Sequence, residues 1–240
     1  MYQEKTIYSK IRKLPYAWKT FIEALNNTQS KKQFSNTISM AKEIAQENPK
    51  ALVDLVKLIG KPYQTKHISG VVMKGYNEVE NLDEYLVFFP KGSDYTWELY
   101  SLINEVKDYK RPLELKTDLI LPWPWSKKRI RDTLCGIGKR RSWGEWQEDK
   151  LNHRVSFWLP MGIGWVKGGN HSISNGIING EGVITQYKAY DISAMYEYVY
   201  CDGDYFYKVQ DDSKLFPVQS LEFACIFEIG RIMHENGISA

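Results

Sequence analysis

Three observations predict an α+β fold, with a helical N-terminal part packed on a small mixed β core and closed by a C-terminal hairpin and a buried helix. The first 110 residues carry apolar residues at helical spacing. From Thr117 onward short runs of β-formers alternate with Gly and Pro punctuation. The last long segment is apolar on most sides, as a central packing helix requires. No polar linker separates two units, so residues 1–116 (helical region) and 117–240 (α+β core) are read as parts of one compact unit.

The first helix shows one stripe, Phe34, Ile38, Ala41 and Ile44/Ala45, on a polar segment. A second opens at Asn48 and Pro49, buries Leu52, Val53, Val56 and Ile59, and is expected to stop at Gly60 and Pro62. A third is expected from Tyr95 to about Lys107 with Asp94 as its cap, turning Trp97, Tyr100, Ile103 and Val106 inward. Asp118 to Leu121 reads as a strand, stopped by Pro122-Trp123-Pro124 because neither proline donates to a ladder. Ser126 caps a helix to about Ile137, which Gly138 closes. Two strands, His153 to Leu159 and Ile163 to Lys167, flank Pro160-Met161-Gly162 as a hairpin. The turn Gly168-Gly169-Asn170-His171-Ser172 leads into a short helix, then a strand from Val183 to Ile192. Asp202-Gly203 between aromatic β-formers predicts a two-residue type I′ hairpin. Leu221 to His234 forms the final helix.

The chain has 240 residues, 43% of them hydrophobic and 25% charged, which excludes collagen-like, low-complexity and largely disordered classes. Its three cysteines, Cys135, Cys201 and Cys225, are far apart, against a zinc knuckle, a dithiol pair or a disulfide framework. A reducing cytoplasm is the expected location, and no apolar run approaches the roughly 18 residues of a membrane span. The net charge of +3 hides an uneven distribution. Residues 122–172 carry 10 Lys/Arg against 4 Asp/Glu, and residues 173–240 carry 4 against 10. The basic segment also holds six of the eight tryptophans.

That segment carries the candidate chemistry. A hairpin turn centred on Gly162 places His153 opposite His171 and Arg154 opposite Asn170, and a two-residue loop shifts this by one. His171 and His153 are then candidate general acid/base groups, because imidazole titrates near neutrality, while satisfied structural histidines are the plainer alternative. The adjacent Gly168 and Gly169 allow a positive φ and close approach of a ligand, and the free N–H groups of the following helix favour an anion. Lys127, Lys128 and Arg129 stand in a helical first turn, where a bound anion or simple solvation offsets their conflict with the dipole. Lys139, Arg140 and Arg141, followed by Trp143 and Trp146, form a basic-aromatic stretch suited to nucleic acid, or a solvated loop over buried tryptophans. His153 and His171 with Glu181 or Asp191 make a possible metal set, but the H-E-x-x-H spacing is absent and no metal is assigned. Ser172 beside His171 lacks a third orienting group for nucleophilic catalysis.

The run from Asp118 through the Arg129 helix, the hairpin, Gly168-Gly169-Asn170-His171-Ser172 and the strand to Asp191 resembles the ParB/sulfiredoxin-like superfamily. There a turn of the form Asp-Gly-x-His-Arg holds nucleotide phosphates, and Gly169, Asn170 and His171 match its Gly-x-His part. Gly168 replaces the acid and Ser172 the arginine, and Arg154 is the candidate substitute for that charge. Asn170 stands where a sulfinic-acid reductase needs cysteine, so that activity is not implied. Over nearly its whole length the chain also resembles an uncharacterised bacterial domain family, through Pro122-Trp-Pro-Trp, Asn152-His-Arg-Val, Trp158-Leu-Pro, Gly168-Gly-Asn-His-Ser-Ile and Tyr198 to Gly203. That resemblance implies a bacterial or phage protein and a single unit.

The leading expectation is therefore binding of a nucleotide or other phosphorylated small molecule. Gly168, Gly169, Asn170 and Ser172 cradle phosphate, Lys128, Arg129 and Arg154 neutralise it, and His171 or His153 serves cleavage of a phosphoester or phosphoanhydride. The alternative is a non-enzymatic module binding nucleic acid or a protein. No cofactor is named by the sequence.

Overall fold

The computed structural model describes residues 16–74, 82–84, 87–89 and 96–240, without the side chains of 16–27, 96 and 97. The chain runs α1 (Tyr16–Glu47), a 3-10 turn (Pro49–Ala51), α2 (Leu52–Met73), α3 (Thr96–Ser101), β1 (Asn104–Val106), β2 (Leu113–Glu114) and β3 (Leu119–Leu121). It continues through α4 (Lys127–Gly136), β4 (Arg154–Leu159), β5 (Ile163–Gly168), α5 (Asn170–Asn179), β6 (Val183–Ile184) and β7 (Lys188–Asp191). A 3-10 helix (Ser193–Glu197), β8 (Val199–Cys201), β9 (Tyr205–Lys208), β10 (Lys214–Pro217) and α6 (Leu221–Glu235) complete it.

The central sheet has the order β1-β7-β4-β5-β3. β4 pairs antiparallel with β5 and parallel with β7, β3 pairs parallel with β5, and β1 pairs antiparallel with β7. The sheet is therefore mixed, and both of its faces are covered. Alternation at period two divides its side chains between two cores. Leu119, Leu121, Trp158, Ile163 and Trp165 enter one core with α1, α2, α6 and the β8–β10 sheet. Ile120, Val155, Phe157 and Leu159 enter the other with Leu113, Trp146, Ile173 and Ile184. Each such fully buried side chain contributes roughly 1.5–3 kcal/mol. α6 is the central packing helix its composition predicts, with Phe223, Ile226, Phe227, Ile229 and Met233 all buried.

Several expectations need correction. α2 does not stop at Gly60 and Pro62 but continues to Met73. Gly60 is there for contact: a Cβ at that position would lie 2.2 Å from Leu119 Cδ2, so the bare backbone lets α2 settle against β3. Buried Gln64, Ile68 and Val71 beyond the proline carry the helix onward, and Gln64 Nε2 donates to Ile120 O at 2.5 Å. The third helix is only Thr96–Ser101, its expected start at Asp94 and Tyr95 falls outside the described residues, and 104–106 is the edge strand β1. The strand expected from Val183 to Ile192 is two pieces in different sheets, since β6 pairs with β2 and β7 with β4 and β1.

Both predicted turns are longer than two residues. Trp158 closes the first hairpin against Ile163, leaving Leu159 to Gly162 as its loop, with a cis Leu159–Pro160 peptide and Gly162 N–H donating to Trp158 O at 2.8 Å. In the second, Cys201 faces Phe206, and Asp202 Oδ1 accepts from the amides of Asp204 and Tyr205, both at 2.9 Å. The carboxylate bridging two successive amides replaces the type I′ geometry.

Candidate functional site

The hairpin register sets where the candidate residues fall. Val155 faces Val166, Ser156 faces Trp165 and, after an irregularity, Arg154 faces Gly168. His153 is therefore not the cross-strand partner of His171, which lies on α5, and Arg154 does not face Asn170. The displaced register follows from the loop, which closes nearer Pro160 than Gly162.

The turn between β5 and α5 is nevertheless tightly constructed. Gly169 sits at the helix N-cap with φ +75°, and a Cβ there would lie 2.3 Å from His153 Cδ2. Gly168 is as confined, since its Cβ would lie 2.4 Å from Asn152 O and 3.0 Å from Arg154 Nε. Both positions therefore need glycine for close approach. Asn170 Oδ1 accepts from Trp123 N–H at 2.7 Å, fastening the Pro122-Trp123-Pro124 segment to the start of α5. Ser172 Oγ donates to Gly169 O at 3.0 Å.

The two histidines face different elements. His153 Nδ1 accepts from the Asp149 amide at 2.9 Å, which leaves its proton on Nε2, directed at Ser172 Oγ at 2.6 Å. Its ring stacks on Trp146 with centroids 4.8 Å apart, and Trp146 Nε1 donates to Ser172 O at 2.8 Å. Burial lowers the His153 pKa against the opposing pull of Asp149 and Glu148. His171 Nε2 accepts from the Ser126 amide at 3.1 Å, and its ring meets the edge of Trp125. Burial, reinforced by the charge of Arg129, pushes its pKa down to about 4. Both imidazoles are thus neutral acceptors of backbone N–H groups at neutral pH.

The cations stand around this turn. Ser126 Oγ caps α4 by accepting from Arg129 N–H at 3.3 Å, as its position in the sequence predicts. The Arg129 guanidinium lies 5.0 Å from the centre of the Trp125 ring. Lys128 and Arg129 are exposed on the first turn of α4, and Arg154 is exposed on β4 beside Gly168. The metal alternative gains no geometry: Glu181 accepts from Asn179 Nδ2 and Asp191 Oδ1 from the Ser193 amide, and no metal-competent group of three His, Cys, Asp or Glu occurs among the described residues.

Sequence reasoning missed the contacts that brace the turn. Asn175 and Asn179, one helical turn apart on α5, both direct Nδ2 at Ile137 O, at 3.1 and 3.3 Å, joining α5 to the end of α4. Their i, i+4 spacing was the available signal. Glu148 accepts from the amides of Thr185 and Gln186 and from the Thr185 hydroxyl. Burial pushes its carboxyl up, but these bonds and Lys150 outweigh it and hold the pKa below the ordinary value. A cavity of about 480 Å³ opens away from this cluster, lined by Leu99, Leu102, Val199 and Leu215 among others.

Together these elements define an α+β protein whose mixed sheet carries, at the end of its central hairpin, a glycine turn pinned by two neutral histidines. The chain belongs to DUF6710, a family of unknown function, whose pattern matches residues 19–240. No curated protein and no solved structure matches it, and the comparisons lend no support to the ParB/sulfiredoxin-like resemblance. No described helix is long and apolar enough to cross a membrane.

Proposed function

We propose that the turn at Gly168–Ser172 binds the phosphate of a nucleotide or other phosphorylated small molecule. One observation carries this reading. The amides of Asn170, His171 and Ser172 open α5 without partners among the described residues, and two guanidiniums flank them from different elements, Arg129 of α4 and Arg154 of β4. The Asn170 and Ser172 side chains are used within the fold, so the cradle is built from backbone N–H groups, with Lys128 adding charge. Gly168 and Gly169 let the turn close against Asn152, His153 and Arg154, which brings the Arg154 guanidinium beside these amides.

Thermal unfolding with ATP, CTP, GTP, dinucleotides and inorganic pyrophosphate tests it. A ligand at 100 times its Kd stabilises by about 2.7 kcal/mol, roughly 5–10 °C for a chain of this size. Arg129→Gln with Arg154→Gln abolishes the shift. No shift with any of these compounds at saturation refutes the proposal.

Cleavage of the bound ester is a separate proposal, and it falls to His171. His153 is engaged at both ring nitrogens, whereas His171 Nδ1 has no hydrogen-bond partner among the described residues and, with Nε2 accepting, carries the proton. Release of inorganic phosphate by the wild type but not by His171→Gln supports this role. No release by the wild type ends it and leaves the binding claim standing.

A further inference from the structure

Trp143 and Trp146, three residues apart in the basic segment, have opposite environments. Trp146 is 7% exposed and covered on both faces, with His153 stacked on one side and Gly182 against the ring, where a Cβ would lie 2.5 Å from Cε3. Trp143 is 62% exposed. A Cβ built on Gly136 would meet its Cδ2, Cε3 and Cε2 at 2.3, 2.5 and 2.7 Å. Cδ2 is a ring-fusion carbon with three bonded neighbours, so it can be approached this closely only from above the ring plane. The indole therefore lies flat on the end of α4 and turns its other face outward.

The loop that holds it is fixed by its own backbone. Trp143 N–H donates to Gly136 O at 2.8 Å, Gly138 N–H to Gly144 O at 2.7 Å, and Gly144 N–H to Arg141 O at 3.1 Å. The Arg141 side chain closes it further through Ile137 O. Arg140 occupies a left-handed conformation, φ 65°, which bulky residues rarely adopt, and this holds it at the exposed rim of the loop. Lys139 and Arg140 form no ion pair among the described residues. Asp132, on α4, is paired with Arg131 and so is not matched to either of these cations.

We infer that the 137–144 loop is a stacking platform for an unpaired base of a single-stranded nucleic acid, with Trp143 under the base and Lys139 and Arg140 on the flanking phosphates. A flat indole on a backbone-fixed loop, with one open face and adjacent cations, is the combination that binds single strands without sequence preference. Duplex bases already stack on both faces and cannot occupy it. A free nucleotide buries too little on a ring this exposed, whereas a strand adds counterion release at each neutralised phosphate. The surface is separate from the phosphate turn, and neither reading depends on the other.

Fluorescence anisotropy of a labelled 12-nucleotide oligothymidylate with the full-length chain, at 50 and 200 mM salt, provides the test. Wild type binds the strand and loses affinity with salt. Trp143→Ala weakens binding about tenfold or more, Trp143→Phe retains most of it, and Lys139→Gln with Arg140→Gln reduces the log–log salt slope by about 1.4. Near-ultraviolet circular dichroism confirms that each variant is folded. No binding at 50 mM salt, wild-type affinity in Trp143→Ala, equal affinity for the matched duplex, or competition by thymidine monophosphate at equal base concentration would each overturn the inference.

Discussion

Replacing Gly169 by alanine probes the construction of the phosphate turn, and the fold supplies its own control. The conformational part of the cost comes from φ +75°, where a Cβ costs about 1–2 kcal/mol. The steric part comes from His153 Cδ2, 2.3 Å from the new methyl group. That ring has no retreat, because it stacks on Trp146 and its nitrogens engage the Asp149 amide and Ser172. Displacing it loses two hydrogen bonds of about 1 kcal/mol each. The total is about 3–4 kcal/mol, or roughly 6–16 °C in Tm at 2–4 °C per kcal/mol. Gly144 has φ +79° with nothing within 4 Å of its virtual Cβ, so Gly144→Ala isolates the conformational part. It is expected to cost about 1–2 kcal/mol, or roughly 2–8 °C. Calorimetry of both variants at one pH is the assay. If Gly169→Ala loses no more than Gly144→Ala, the claim that His153 is immovable is wrong.

Two further outcomes are expected. His171 and His67 are both pushed down to about 4, chiefly by burial, so between pH 6.5 and 4 the unfolded chain binds protons that the folded chain refuses. The contribution of these two histidines is therefore flat above pH 7 and falls as pH drops through this window. His171 contributes about 2 kcal/mol of that loss at pH 5, and urea titrations of wild type and His171→Gln at pH 7.5 and 5.0 should show a shallower dependence in the variant; identical dependence rejects the assignment. Asp118, 2% exposed, accepts from the Arg111 guanidinium at 3.2 Å and from the Glu114 amide at 2.8 Å. Asp118→Ala leaves that guanidinium partly buried and unpaired, a loss of about 3 kcal/mol, and denaturant midpoints should place Asp118→Asn between it and the wild type.

The residues that betrayed their structure in the sequence are those whose signals are local. Ser126 caps α4 where it stands, Phe34 and Ala41 of the first stripe are buried, and α6, apolar on most sides, is the packing centre. Gly60 and Pro62 misled because their meaning is tertiary: the glycine makes room for Leu119, a residue 59 positions away. The same holds within the candidate site. That Gly168 and Gly169 form a tight turn was legible, but the histidine geometry depended on a register set by the Leu159–Gly162 loop and by the irregularity between Arg154 and Val155. Periodicity could not separate Trp143 from Trp146 either, because what distinguishes them is a glycine behind one ring and a histidine and a glycine around the other.

The sheet order has a consequence for how the chain reaches its native state. β1, at 104–106, covers the outer edge of β7, at 188–191, and β2 pairs with β6, so segments about 70 to 85 residues apart must meet before those ladders exist. Such non-local pairing slows folding. A fragment beginning at Thr117 would uncover the sheet face on which α1 and α2 pack and leave β7 with an unpaired edge, open to a second copy of itself. The N-terminal segment thus acts as a guard against self-association as well as a layer of the core.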